Sequence, residues 1–232
     1  MMFEGKTVVV TGAAGALGCA VYEHFMRQGA RLVAVDYSDE LLQKTFPEPV
    51  TSNKYLAVDL TQRSSCQAGL GSVVKEGVDV LCNIAGGFAM GEQVHQTSDE
   101  TWDFLMNLNT RSIINTAAVI VPTMLDQRRG KIINVAARAA TQGLASMGLY
   151  TASKAAVMRL TEAMASELRD ENINVNCIMP GTIDTARNRQ DMPDADHSRW
   201  VPPAHLANVV GFLASEAAVA VHGAAIPVDG LS

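Results

Sequence analysis

Tyr150 and Lys154 stand four residues apart in Tyr150-Thr151-Ala152-Ser153-Lys154. The run from Gly148 to Leu168 reads as a helix, so the two side chains share one face about one turn apart. A phenol normally holds its proton until pH ~10. An ammonium beside it stabilises the phenolate, lowers that pKa and brings Tyr into the range of a general acid. The same spacing also occurs on exposed helices whose lysine is simply solvated. Other parts of the chain must decide between the two.

A second group of residues could hold a nucleotide. Lys6–Val10 is a short β-branched run, followed by Thr11-Gly12-Ala13-Ala14-Gly15-Ala16-Leu17-Gly18 and a helical pattern through Gln28. Strand, Gly-rich turn and helix form the context of a dinucleotide motif. Glycines let the backbone turn sharply and approach a pyrophosphate, and the helix N-terminus offers free N–H groups and a positive dipole end. The spacing is G-x-x-G-x-x-G, and an ordinary tight turn is the competing reading. The next run, Arg31–Val35, ends in Asp36, eighteen residues after Gly18. An acid near that distance accepts from the ribose hydroxyls of NAD and repels the 2′-phosphate of NADP. Tyr37 follows, where a basic phosphate partner would otherwise sit. NAD(H) is therefore expected, with NADP(H) disfavoured. Asp36 could instead cap a helix, but Ser38 can cap Asp39–Thr45 and leave Asp36 for the ribose.

These residues need elements to hold them. A third strand, Lys54–Val58, leads to Asp59-Leu60, and a fourth, Val78–Cys82, leads to Asn83-Ile84-Ala85-Gly86-Gly87. Strands that end in small polar or Gly residues fit a parallel sheet that binds ligand at its carboxyl edge. The helix between them, Gln62–Lys75, contains Gly69 and Gly71 and is expected to be short or irregular. Alternating strands and helices without a composition break predict one doubly wound α/β domain over residues 1–232. Apolar residues make up 48 % of the chain and aromatic ones 5 %, as expected for buried parallel strands. A net charge of −6 without a basic block argues against nucleic acid or an anionic membrane as partner. No apolar run reaches the ~20 residues of a membrane span, and no basic segment precedes the first strand, so no signal peptide is expected. Cys19, Cys66, Cys82 and Cys177 lie far apart and the five His show no zinc-like spacing. Buried thiols, a reducing cytoplasm and no metal site are expected.

Thr11-Gly12…Gly15…Gly18, Asp59, Asn83-Ile84-Ala85-Gly86, Asn109, Tyr150…Lys154, Pro180-Gly181…Thr185 and the closing Val228-Asp229-Gly230 resemble, in order, the motifs of the short-chain dehydrogenase/reductases. The resemblance implies a single-domain Rossmann fold, with a doubly wound parallel sheet of about seven strands and helices on both faces. It implies an NAD(P) cofactor along the strand ends, held by Gly12, Ala14, Gly15, Ala16, Leu17 and Gly18 of the turn. Asp36 and Tyr37, Asp59 and Leu60, and Asn83, Ala85 and Gly86 would contribute further contacts. Tyr150, Lys154, Pro180, Gly181, Ile183 and Thr185 would complete the site, with the Thr185 hydroxyl reaching the nicotinamide carboxamide. Tyr150 would exchange the proton, Lys154 would hold the ribose and tune Tyr150, and Asn109 would relay protons to water. Dimers or tetramers are also implied.

The chain departs from this family at one position. The family's Ser falls three after Asn134 and thirteen before Tyr150, which is Ala137. Losing an oxyanion-type donor can cost ~10²–10³ in rate. Three readings follow. Thr141 or Ser146 substitutes, or the substrate needs no second donor, or the enzyme is feeble or carries an engineered change. A narrower resemblance favours the second. Ala136–Ala140, Met147–Tyr150 and Thr182–Trp200 are similar to dihydropteridine-reductase-like members, which also lack the Ser and reduce quinonoid pterins.

Thr97-Ser98-Asp99-Glu100 has capping-box form and starts a helix that leads to Asn109. Asn inside a helix is unfavourable unless its amide has a partner; a surface Asn is the alternative. Ile113–Met124 continues as an apolar helix, expected at a subunit contact. Residues 184–203 show no steady period and are expected to form an irregular lid over nicotinamide and substrate. Met192 and Trp200 would form an apolar wall, and Arg138, Arg187 or Arg189 would face an anionic or carbonyl-rich substrate, with Thr141 alongside. Arg–Asp pairs that merely hold the loop together are the alternative. Pro202-Pro203 start a core helix with Leu206, Val209, Val210 and Leu213, and Gly223–Val228 is the last strand.

The expected function is NAD(H)-dependent hydride transfer to a carbonyl, quinonoid or pterin-like small molecule. An ordinary alcohol/ketone dehydrogenase is the alternative within enzymes. An NAD(H)-binding sensor with little turnover is the alternative outside them.

Overall fold

The computed structural model describes residues 1–232. Seven strands form one parallel sheet: β1 (Thr7–Thr11), β2 (Arg31–Asp36), β3 (Lys54–Ala57), β4 (Val80–Asn83), β5 (Gly130–Val135), β6 (Ile173–Pro180) and β7 (Ala225–Val228). Their spatial order is β3-β2-β1-β4-β5-β6-β7. The chain runs outward from β1 to β3 on one side and from β4 to β7 on the other. The reversal therefore lies between β1 and β4, where ligands bind in doubly wound sheets. Because the strands are parallel, Thr11, Asp36, Asn83, Val135 and Pro180 all finish on one edge.

The strands are apolar on both faces because helices cover both. All of β1 is buried. On one face α1 (Ala16–Arg27) and α8 (Pro203–Ala214) pack together, carrying Val21, Phe25, Leu206 and Val210 into a cluster of 24 buried residues. On the other, α3 (Arg63–Val74), α5 (Ser112–Gln127) and α6 (Gly148–Leu168) join a cluster of 17 through Leu70, Ile120, Met124 and Ala165. Burying one such Leu or Phe side chain contributes ~1.5–3 kcal/mol.

Two elements differ from the sequence expectation. Helix α3 is regular over 12 residues despite Gly69 and Gly71. Its buried Cys66, Leu70 and Val73 hold it to the sheet. Gly69 is required there, since a Cβ would fall 2.5 Å from Cγ2 of Val58. Packing thus overrides the glycine propensity. The 184–203 excursion is also more ordered than expected. It contains α7 (Ala186–Asp191) and a 3₁₀ turn at His197–Arg199, and an Ile183–Val201 bridge closes its base. Short helices α2 (Asp39–Thr45) and α4 (Asp99–Met106) are capped by Ser38 and Ser98. On α5, Ile113, Ile120 and Met124 are buried within the chain, while Ile114 and Leu125 are exposed.

Candidate active site

The β1–α1 turn is built around close backbone approach. Gly12 has φ +62°, and a Cβ there would lie 2.8 Å from Cα of Ala85. A Cβ on Gly18 would lie 1.9 Å from the Gly12 carbonyl oxygen. Both positions exclude any side chain. Gly15 stands at the N-cap of α1 and no side chain caps the helix, with Ala16 and Leu17 in its first turn. Uncapped N–H groups at such an end favour an anion. The Asp36 carboxylate braces the turn: Oδ2 accepts from the Ala14 N–H at 2.9 Å and Oδ1 from the Tyr37 N–H at 2.7 Å. Carboxylate oxygens have further lone pairs, so Asp36 is a clasp that can still accept from hydroxyls. Thr11, which sequence reasoning left without a role, ties β1 to β4. Its Oγ1 accepts from the N–H groups of Ile84 at 3.0 Å and Ala85 at 3.2 Å.

Beside this turn lies a cavity of about 460 Å³. Gly12, Asp36, Tyr37, Asp59, Leu60 and Ala85, all expected from sequence, line it. So do Asp103, Phe104 and Asn107 of the α4 region, which no sequence signal singled out because they lie far along the chain. Thr61 holds Asp59, with its N–H at 2.9 Å and its Oγ1 at 2.6 Å from Oδ1. The glycine cradle, the uncapped helix end and this cavity fit a dinucleotide. No group of three potential His, Cys, Asp or Glu metal ligands comes together.

The Asn83 side chain makes its hydrogen bonds inside the protein. Its amide donates to Asn134 Oδ1 at 2.8 Å and accepts from Thr116 Oγ1 at 2.9 Å. Asn134 in turn donates to Thr161 Oγ1 at 2.9 Å. The result is a buried polar ladder across β4, β5 and two helices.

Asn109 is 1 % exposed and lies in a π turn, Asn107–Arg111, inserted between α4 and α5. The wide turn presents its amide inward. Oδ1 accepts from the Gly87 N–H at 2.8 Å, and Nδ2 donates to the Gly87 carbonyl and to Ser153 Oγ, both at 3.0 Å. Ser153 then donates to the Tyr150 carbonyl at 2.8 Å. Ser153 sits between Tyr150 and Lys154, and its i+3 spacing from Tyr150 was a signal that went unused. Lys154 is buried and donates to the Val135 carbonyl at 2.8 Å. A Cβ on Gly86 would stand 3.0 Å from both Asn109 Oδ1 and Lys154 Nζ, so the two groups converge on one glycine.

Tyr150 packs edge-to-face against Phe88, with ring centroids 4.8 Å apart. Phe88 follows the strand-end glycines and is 54 % exposed. Sequence reasoning missed it because only the path of the loop brings it to Tyr150. Burial pushes the Tyr150 phenol up to about 12 and pulls the Lys154 ammonium down to about 8. This differs from the expected lowering of the Tyr pKa. Lys154 spends a hydrogen bond on Val135, and loss of water acts on both groups.

Ala137 is buried and starts the 3₁₀ turn Arg138–Thr141, which packs against α6. Of the two substitute hydroxyls, Thr141 is exposed and donates to the Arg138 carbonyl at 3.0 Å within its own turn. Ser146 instead lines a small cavity of about 80 Å³ together with Tyr150. Around the substrate loop, Thr185 Oγ1 accepts from the Asn188 N–H at 3.1 Å and caps α7. Pro180 is buried, and Gly181 donates to the Val228 carbonyl at 3.1 Å. Met192 and Trp200 both meet His197, whose Nε2 lies 2.9 Å from the Met192 carbonyl oxygen. Met192 is exposed, whereas Trp200 is 8 % exposed and packs against His197 at 4.3 Å. Arg187 pairs with Asp191, Arg189 with Asp184 and Arg138 with Asp229. For Arg187 and Arg189 the loop-holding alternative describes the contact.

The model of the short chain dehydrogenase family matches residues 6–196. "Dehydrogenase/reductase SDR family member 6" of Rattus norvegicus is 31 % identical over 242 residues, covering 98 % of this chain and 97 % of that protein. A proposed NAD(P)-dependent gluconate 5-dehydrogenase from Beutenbergia cavernae, with bound NADP, superposes with a TM-score of 0.88 at 29 % identity over 98 % of this chain and 96 % of that one. The 3-ketoacyl-(acyl-carrier-protein) reductase from Brucella melitensis, complexed with NADH, gives 0.88 at 25 % identity over 98 % of each chain. Fold and site define a dinucleotide-dependent oxidoreductase. The chain belongs to the short-chain dehydrogenase/reductase family.

Proposed function

We propose that the protein is an NADH-dependent reductase of a small carbonyl, quinonoid or pterin-like acceptor. The proton comes from Tyr150 and no hydroxyl stands at position 137. The observation that supports this reading most is the convergence of Lys154 and Asn109 on Gly86 beneath the Tyr150 helix. NADH, when bound, supplies the hydride. Gly12, Ala14, Gly15 and the α1 end would hold its pyrophosphate, Asp36 its adenosine ribose, and Lys154 its nicotinamide ribose. Tyr150 would give its proton to the acceptor oxygen or nitrogen. Lys154 would stabilise the resulting phenolate, and Asn109 would pass a replacement proton inward. Acidic Asp36, Asp59 and Asp103 around one cavity favour NADH over NADPH, whose extra phosphate they would repel. A planar conjugated acceptor spreads developing charge over its ring and can manage with one donor.

The test is NADH oxidation with quinonoid dihydropterin, quinones and simple ketones. Turnover of a conjugated acceptor with little turnover of ketones is expected. Tight NADH binding with no turnover of any of them would leave a sensor. The ordinary ketone mechanism is a second reading, favoured by one observation: Ser146 shares a cavity with Tyr150. A cytoplasmic homodimer or homotetramer is proposed as well. No helix is long and apolar enough to cross a membrane.

A further inference from the structure

We propose that Phe88 determines acceptor specificity: its ring is the platform on which a planar conjugated acceptor is presented to Tyr150. The proposal rests on the reductase reading and deepens it. Phe88 meets the Tyr150 ring edge-to-face, with centroids 4.8 Å apart and planes at 80°. That contact uses only part of the side chain, since Phe88 is 54 % exposed. An exposed aromatic ring beside a proton donor has surface left for a second ring, and aromatic pairs gain beyond the area they bury.

A lone exposed apolar side chain needs no explanation in general. Phe88 is set apart by how its backbone is held. On one side the Asn109 amide clamps Gly87, accepting from its N–H at 2.8 Å and donating to its carbonyl at 3.0 Å. Gly87 also fits closely under Phe104, where a Cβ would stand 2.5 Å from Cζ. On the other side the Gly91 N–H donates to the Ser146 carbonyl at 2.8 Å. Ser146 has φ +58°, a left-handed conformation that is uncommon outside glycine and persists where the surroundings fix it. Residues 87–91 are therefore tied at one end to the turn that carries Asn109 and at the other to the segment that leads into the Tyr150 helix. Ala89 and Met90 of this stretch line the small cavity that Tyr150 and Ser146 share. A ring on a backbone held at both ends gives up little freedom when a ligand lands on it.

The experiment measures reduction of 1,4-benzoquinone, 1,4-naphthoquinone and 9,10-phenanthrenequinone by NADH, each net of the rate without enzyme. Each quinone takes one hydride from NADH and one proton through Tyr150, and leaves as the quinol. The readout is the variant-to-wild-type ratio of KM for each acceptor, so differences in redox potential cancel. Phe88→Ala should raise KM about 10-fold for the three-ring quinone, the upper range for an aromatic pair. The rise should shrink with ring size, and kcat should change less than KM. Phe88→Trp should keep KM at or below the wild-type value, whereas Phe88→Leu, apolar but without an aromatic face, should not. NADH binding by each variant checks that it folds. In parallel, calorimetry follows 1,4-naphthoquinone binding to the enzyme–NAD⁺ complex, where no hydride is available, for wild type and Phe88→Ala. Equal KM ratios across the three quinones, or full function in Phe88→Leu, overturn the proposal and leave the reductase reading standing. Binding that depends on Phe88 but leads to no turnover keeps the platform and removes the reductase reading. Neither binding nor turnover by the wild type overturns both.

Discussion

Asp36 Oδ2 accepts from the Ala14 N–H at 2.9 Å, so the acid expected to choose the cofactor also holds the turn that would carry its phosphates. The proposed selectivity and the observed loop order would therefore share one side chain. Asp36→Ala should raise KM for NADH about 10- to 100-fold, as loss of a charged hydrogen-bonding group implies. It should not give efficient use of NADPH, because the turn loses its brace. Steady-state kinetics with both cofactors check this. A wild type that prefers NADPH would sink the assignment of Asp36.

Tyr150→Phe keeps the ring against Phe88 and removes only the hydroxyl. The rate of reduction should fall ~10²–10⁴-fold, with NADH affinity nearly unchanged. Stopped-flow hydride transfer and fluorescence titration separate the two. A variant that retains most of its rate would remove Tyr150 as proton source.

The Lys154 ammonium has a pKa of about 8 in the fold, against ~10.4 in an unfolded chain. Below pH 8 both states are protonated, and the fold bears the full penalty of a buried charge. Between pH 8 and 10.4 the unfolded chain binds more protons, so this penalty is relieved as pH rises. Relative to Lys154→Met, the wild type should gain thermal stability from pH 8 to 10. Above pH 10, Tyr150 acts in the opposite sense, because its pKa is raised to about 12. Thermal melts of both proteins across this range provide the check. A difference that does not vary with pH would mean that Lys154 is not titrating as described.

Ala137→Ser places a hydroxyl where relatives in this family carry one. Ketone reduction should rise, by up to ~10²-fold if a second donor was the missing component. Reduction of quinonoid acceptors should change little. Ser146→Ala should lower ketone turnover only if Ser146 is acting as the substitute. Parallel assays of the two variants on both acceptor types distinguish these outcomes.

Much of the fold was legible because parallel strands leave a plain record: short β-branched runs, each closing on a small or polar residue. The strand ends at Thr11, Asp36 and Asn83 could be read this way. What could not be read was set by contacts between distant segments. Gly69 looked like a helix breaker until Val58 was seen to need its space. Thr11 and Ser153 have ordinary local surroundings, and their hydrogen bonds to Ala85 and Asn109 cross the molecule. Asn83 was assigned by motif order, but its amide is directed by Asn134 on the neighbouring strand. Met192 and Trp200 share apolar character, yet the Ile183–Val201 bridge places Trp200 at the buried base of the excursion while Met192 stays exposed.

The π turn at Asn107–Arg111 ties the placement of Asn109 to the angular phase of α5. Each residue advances an α-helix by about 100°. The residue accommodated by the wide turn therefore determines which side of α5 meets the sheet. With it, Ile113, Ile120 and Met124 point inward. Rewinding the same residues as a regular α-helix would rotate that apolar stripe by about 100°. Without losing a residue, the chain could shed the irregularity around Asn109 only by rewriting the packing of a 16-residue helix. The turn is thus locked in by the core as firmly as by any demand for proton transfer.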